Sequence, residues 1–544
     1  MKLVRLKKLL AVTLVAALSG SVLVGCGGES GSSSEGGVTE QKLVFNLGED
    51  PKTIDPALNT SSGASTVIGN AFEGLCSLDS EDKAKPGVAE KWEISDDKLT
   101  YTFHLRDNAK WSDGQPVTAK DFEYAWKRAL DPKTGAEYAY QLYYIEGAEE
   151  YNKGKGDADK VAIKALDDKT LEVKLVNPTP YFLELTAFTT YLPVREDIVA
   201  GNDGWATDAK TYVSNGPFKL VEWRMKDAFV FEKNENYWDT DEVNLEELEM
   251  RMISEDTSAF ASFQSEEIDM LNSLPTAEIQ NAVNNGIAKI FPQIGTYFYI
   301  VNVSGKGQGN DALKNPKVTQ ALNMAINREA IVENVTKGGQ TPAASFVPTS
   351  IEDENGKQFT KEYFKSEGDI EGAKKLLEEA GYPNGEGLPT LTLMYNTEGA
   401  HGDVAQAVQA MWKEIGVNVE LQNQEWKVFL DTRNNLNYQI ARHGWVGDYV
   451  DPMTFLDMWT TGNGNNDSGY SSAEYDKSIE DAKKEVDTNK RKELLNKAED
   501  ILMSDMPIIP LYYYTQPKGI QPYVKGVEVS QLGKISFKNA SIEK

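Results

Sequence analysis

Apolar and polar residues alternate along Lys98 to Leu105 (KLTYTFHL) and again along Thr170 to Val176 (TLEVKLV), the period of strands with one buried face. KLVFNLG after Gln41, TYFYIVNV at Thr296 to Val303 and the short run Val417 to Leu421 read as strands from their β-branched and aromatic content. Between these the apolar spacing lengthens to that of a helix. Thr118 to Leu130 (TAKDFEYAWKRAL) is a helix opened by the Thr118 cap. Asn315 to Ile331, Asp369 to Ala380 stopped by Gly381, and Val404 to Ile415 are helices, as is Thr488 to Met503 with Thr488 as its cap. Pro51 and Pro56 make EDPKTIDPALNT a loop, and Asn215 to Phe218 is a turn. Strands alternating with helices predict an α/β architecture with more than one sheet and a binding cleft between domains. No internal repeat is present, and no apolar run after residue 25 is long enough to span a membrane.

The first 25 residues follow another pattern. Lys2, Arg5, Lys7 and Lys8 precede the apolar stretch Leu9 to Leu18, as in a secretory signal peptide. The leader ends in Leu23, Val24, Gly25 and Cys26, the pattern of a bacterial lipoprotein, in which the cysteine becomes the lipidated first residue. Gly27 to Gly37 (GGESGSSSEGG) then reads as a flexible tether that holds the folded body off the membrane.

A chain of 544 residues is too long for one core and divides into two or three domains. Its 40% hydrophobic content, with 10 Trp and 24 Tyr, is that of a globular protein. The balance of 56 basic against 84 acidic residues, more acidic still once the leader is removed, disfavours nucleic acid and anionic lipid as partners. Apart from Cys26 only Cys76 remains, so no intramolecular disulfide forms, and the apolar neighbours of Cys76 predict a packing role.

The three histidines His104, His401 and His443 lack the spacing of a zinc site, and no nucleophile elbow, P-loop or dinucleotide fingerprint occurs. Asn463 to Asp467 resembles a calcium loop only faintly, with Ser468 where the glycine should stand. No cofactor or metal is expected. The most informative stretch is Asp431 to Leu456, which gathers Arg433, Arg442, His443, Trp445 and Asp448 on a strand running into a turn. Charges of both signs beside a large aromatic suit a ligand with an amine at one end and a carboxylate at the other, as in a free peptide. Solvated surface charges around a core tryptophan would give the same residues.

From Ile54, Asp55 and Pro56 onward a series of motifs accumulates in order. It includes FEGL at 72, WSDGQPVTAKDFEYAW at 111, SNGPFKLVEW at 214, KNENYW at 233 and IDMLNSLP at 268. Further on come ALNMAINREAI at 321, AKKLLEEAGYPNG at 373, YNTEGAH at 395, NQEWKVFLDTR at 423, ARHGWVGDYVDPMTFLD at 441 and GYSSAEYD at 469. In these the chain resembles the oligopeptide-binding branch of the peptide-binding family of ABC-transporter extracellular solute-binding proteins. The resemblance implies a three-lobed periplasmic-binding-protein-like fold whose two ligand-enclosing lobes are joined by a hinge. Its lobes would comprise residues 41–71 with 194–294 and 515–544, residues 72–193, and residues 295–514. They would close on an extended peptide without catalysis and deliver it to the permease subunits of the importer. The protein would be a monomer, lipid-anchored at the extracellular face of the cytoplasmic membrane.

The same resemblance places the peptide α-ammonium at Asp448 and the peptide backbone beside the strand Arg442, His443, Gly444, Trp445. It assigns Arg433 and His401 to the carboxylate ends of peptides of different lengths, and puts Asn272 and Tyr514 near contact positions. Chemically, Asp448 can neutralise an ammonium in a water-poor cleft, Arg433 can grip a carboxylate bidentately, and His401 can donate to it when protonated or from one nitrogen when neutral. The chain departs from the pattern in three places. Gly295 and Val446 stand where some members carry a disulfide, Thr60 replaces an acidic residue, and His443 replaces a small one. Two further readings stand beside this one: a receptor for a signalling peptide or a non-peptide solute such as a nickel chelate or a sugar, and a secreted hydrolase with paired carboxylates.

Overall fold

Two long strands, Ala288–Val301 and Ile508–Ile520, run antiparallel through the middle of the molecule. The computed structural model describes residues 40–353, 356–397 and 400–544. In it the pair is the centre of an eleven-stranded sheet. On one side follow Ile440–Val446, Leu391–Asn396 and Val419–Gln424; on the other follow Met270–Leu271, Lys42–Asn46, Glu247–Arg251, Ala228–Lys233 and Phe218–Arg224; the eleventh, Thr341–Pro342, pairs with Ile508–Ile520 off this path. The register of the central pair slips between Pro292 and Thr296, where proline has no N–H to give the ladder. Either side of the slip serves a different core. Ala288 packs with Val44, Phe260 and Phe263, whereas Tyr297, Tyr299 and Val301 pack with Leu322, Trp412 and Leu511.

A separate four-stranded sheet orders Ala89–Ile94, Thr100–Leu105, Thr170–Lys174 and Ile163–Ala165. Its second strand buries Tyr101, Phe103 and Leu105 and leaves the residues between them partly exposed, as the alternation predicts. Helix Ala119–Leu130 covers this sheet with Phe122, Trp126 and Leu130, one above another at the helical repeat. Asp121 fixes its start by accepting from both the N–H of Thr118 (2.7 Å) and its hydroxyl (3.0 Å). The two ends of the long sheet and this smaller sheet give the three-lobed α/β arrangement. The leader, Cys26 and the tether lie outside the described residues.

Several element boundaries differ from the sequence reading. The expected helix 315–331 is two helices, Pro316–Met324 and Arg328–Ile331. The break follows from the fully buried Arg328 guanidinium, which donates to the carbonyls of Asn323, Ile326 and Pro510, and from Asn327, which caps the second helix. The last long helix, Thr488–Asp505, is capped by Asp487, not Thr488: the Asp487 carboxylate accepts from the N–H of Lys490. Helix His401–Glu414 begins one turn early, placing His401 at its start. Arg433 is on helix Trp426–Asn434, not on the strand that follows. Cys76 is buried, and burial pushes its thiol up to about 12, so it is an inert packing residue at neutral pH.

Candidate functional site

Strand Ile440–Val446 pairs with Ala288–Val301 along its whole length, from Gly295 opposite Val446 to Val301 opposite Ile440. On its other side it pairs with Leu391–Asn396 only at Ile440 and Ala441. From Arg442 onward that second edge has no strand partner among the described residues, although His443 Nδ1 accepts from the N–H of Gly444 at 2.8 Å. The open edge faces a cavity of about 1280 Å³, above the usual 300–1,000 Å³ of small-molecule pockets. Arg442, Gly444, Trp445, Asp448 and Arg433 all line it. The four-stranded lobe supplies the opposite wall through Tyr138, Tyr140, Tyr144 and Tyr181.

The turn after the strand holds Asp448 firmly. Its N–H donates to Thr454 Oγ1 at 3.1 Å, and Arg491 forks onto Asp451 with two 2.8 Å bonds. Tyr449 stacks on Tyr181 of the facing lobe with ring centres 4.0 Å apart. Gln141 reaches across the cleft and donates to Asp448 Oδ2 at 2.7 Å. Burial, with the nearby charge of Asp457, raises the Asp448 carboxyl to about 7, while Lys534 and Gln141 act against that rise. This end of the cavity therefore holds a carboxylate poorly served by solvent and in need of a cation.

The cationic end is built differently. The Arg442 guanidinium lies over the Tyr297 ring at 5.3 Å and reaches the Tyr514 hydroxyl at 3.4 Å. No carboxylate among the described residues pairs with it. Arg433 does have one: Nε stands 2.8 Å from Asp467 Oδ2, and Asp467 also lies 3.5 Å from His443 Nε2. Gly444 is required at its position, because a Cβ there would sit 2.1 Å from the Tyr514 hydroxyl. The gap between the strand backbone and the ring that supports Arg442 thus exists only for glycine.

Three residues singled out in the sequence are not among the described lining residues. His401 stands behind Tyr297, with Nδ1 3.2 Å from its hydroxyl. Burial and the Arg442 charge press its pKa down to about 3, so it is neutral at pH 7. Tyr514 supports Arg442 from the side. Asn272 is placed elsewhere: its side-chain oxygen accepts from Lys518 Nζ at 2.6 Å, and its amide donates to the Leu47 carbonyl. Thr60 and His443, two of the departures from the family pattern, do line the cavity. Gly295 and Val446, the other departure, are register partners, so the positions of the missing disulfide are neighbours.

Sequence reasoning missed Lys534 and the Asn463–Asn465 segment, which also line the cavity, and Gln141, which reaches Asp448 from the facing lobe. Lys534 and Gln141 come from segments distant in the chain with no motif of their own. The Asn463–Asn465 segment belongs to the run that faintly resembles a calcium loop; among the described residues no cluster of ligands suits a metal.

Comparison with known proteins agrees with this architecture. The middle region of the bacterial extracellular solute-binding proteins, family 5, matches residues 83–467. Among curated proteins, the oligopeptide-binding protein OppA of Bacillus subtilis is 43% identical over 543 residues, covering 98% of each chain. Among solved structures, the murein tripeptide-binding protein MppA of Escherichia coli superposes with a TM-score of 0.83 at 35% identity, covering 93% of this chain and 99% of that one. Haemophilus influenzae OppA, in complex with the peptide RPPGFSPFR, gives 0.82 at 34% identity, covering 93% and 100%. The chain belongs to family 5 of the bacterial extracellular solute-binding proteins. Since that family is one of binding proteins, the hydrolase reading is set aside.

Proposed function

We propose that this protein is the oligopeptide-binding component of an ABC importer, enclosing extended peptides between its lobes and delivering them to the permease. The observation that carries the reading is one cavity with a buried carboxylate that has no ion-pair partner among the described residues, Asp448, at one place and a guanidinium without a carboxylate partner, Arg442, at another. At about 3.3 Å per residue the backbone from Arg442 to Asp448, whose strand ends at Val446, spans at most roughly 20 Å. The open edge of Ile440–Val446 lies between them and offers backbone groups to a peptide as a sheet offers them to an added strand. Arg433 provides a second guanidinium on the same wall, though one already paired with Asp467.

The relatives support this reading by what they bind: oligopeptides in the Bacillus subtilis protein, a murein tripeptide in the Escherichia coli one and RPPGFSPFR in the Haemophilus influenzae complex. The finer reading adds a lipid anchor at Cys26 on the extracellular face of the cytoplasmic membrane, and a monomer that closes about its hinge. Titration with a mixed short-peptide library, followed by mass spectrometry of what stays bound, tests the function. Retention of free-ended peptides supports it; retention of a sugar or a metal chelate in their place refutes it.

A further inference from the structure

The amine end of the cavity contains a cation as well as a carboxylate. Lys534 lines the same cavity as Asp448, at the end of a tight turn near the C terminus. That turn is pinned from several sides. The Ser530 N–H donates to the Lys534 carbonyl at 2.9 Å, the Gln531 N–H donates to Asp82 Oδ2 at 2.9 Å, and the Gln531 carbonyl accepts from the Ile294 N–H at 2.8 Å. The lysine is thus set in place by both the smaller sheet's lobe and the central strand. Its Nζ donates to one protein acceptor, the Ala187 carbonyl at 3.0 Å, and lies 6.0 Å from the centre of the Phe188 ring. No carboxylate among the described residues forms an ion pair with it. An ammonium has three donors, so Lys534 has capacity left on the cavity side.

A cation that shares the cavity with Asp448 and whose charge acts on it would only oppose a peptide whose sole charge there is its α-ammonium. A ligand that brings an anion next to its ammonium turns the opposition into a second contact. An N-terminal aspartate or glutamate is such a ligand, since its α-ammonium and side-chain carboxylate stand on the same residue. We propose that Lys534 is a specificity-determining residue that receives the side-chain carboxylate of an acidic first residue while Asp448 receives its α-ammonium. The inference rests on the peptide-binding reading above. The two wall charges form a dipole that the first residue of the peptide complements, and a neutral first residue leaves half of it unmatched.

Calorimetric titration with Asp-Ala-Ala against Asn-Ala-Ala, and Glu-Ala-Ala against Gln-Ala-Ala, tests this directly, because each pair differs in charge at nearly constant shape. In at least one pair the native protein should bind the acidic peptide about tenfold or more tightly than its amide counterpart, the scale of a hydrogen bond to a charged group. Lys534→Met should abolish that preference, and Lys534→Arg, which keeps the charge, should retain it. Equal affinity within both pairs for the native protein, or tighter binding of the amides, overturns the assignment of Lys534 and leaves the peptide reading standing. If none of the four peptides binds, and a mixed short-peptide library leaves nothing bound either, the peptide reading itself has failed.

Discussion

Gln141 of the four-stranded lobe donates to Asp448 of the facing lobe at 2.7 Å, so the carboxylate assigned to the peptide amine is also a contact between lobes. Amine recognition and closure therefore share one atom group. A ligand shifts a hinge only as far as it favours one state over the other, and a cation at Asp448 stabilises the state in which Gln141 can reach it. Gln141→Leu should weaken peptide binding about 10- to 100-fold, the range for losing a hydrogen bond to a charged group. Small-angle scattering should show a smaller compaction on peptide addition than in the native protein. Unchanged affinity and compaction would separate closure from the amine site.

The proton on Asp448 sets a pH dependence. Burial and Asp457 hold its carboxyl near 7, and only the ionised form pairs with an ammonium. Affinity should therefore rise as pH increases through about 7, by at most tenfold per unit. It should fall again as the peptide α-amine loses its proton, at about 7.7–8.0. For folding the direction is reversed: the raised carboxyl favours the folded state fully below its ordinary value near 4, and that contribution is lost as pH rises through about 7. Calorimetry at pH 6, 7 and 8 should find the rise in the native protein and not in Asp448→Asn. A flat native profile between pH 6 and 7 would contradict the assignment.

Much of this was legible in the sequence, and the reasons are local. The alternation of Tyr101, Phe103 and Leu105 and the capping chemistry of Thr118 and Asp121 are decided by near neighbours, so pattern and fold agree. The split of helix 315–331 was not legible, because a buried Arg328 whose acceptors include the distant Pro510 carbonyl cannot be foreseen from spacing. The same division runs through the site. Arg442, Gly444, Trp445 and Asp448 share one strand and turn, whereas Lys534 reaches the cavity and Gln141 reaches Asp448 only through the packing of lobes, and neither carries a signature of its own. His401 illustrates a limit of another kind: its motif marks the right neighbourhood, but its ring stands behind Tyr297 and only the fold shows which side of that phenol it occupies.

The guanidinium of Arg442 should recognise the peptide carboxylate. Arg442→Met should lower affinity for a free-acid peptide by about 2–5 kcal/mol, the range for truncating one partner of a buried charge pair. The C-terminally amidated peptide should bind the native protein weakly and the variant with little further loss. Additive losses would show that Arg442 acts elsewhere.

Gly444→Ala should displace the Tyr514 ring, whose hydroxyl lies 2.1 Å from the new Cβ. Overpacking of this kind costs about 1–3 kcal/mol, visible as a lower melting temperature. Adding Tyr514→Phe removes the nearest atom and should recover part of the loss. A single alanine variant as stable as the native protein would place the ring elsewhere.

The pairing of Asp448 with a peptide α-ammonium is tested most directly by one double-mutant cycle, comparing a free and an N-acetylated peptide on the native protein and on Asp448→Ala by calorimetry. The native protein should bind the free peptide about 2–5 kcal/mol more tightly than the acetylated one, and the variant should discriminate little between them. Equal binding of the two peptides by the native protein would contradict the amine site and the peptide-end account built on it.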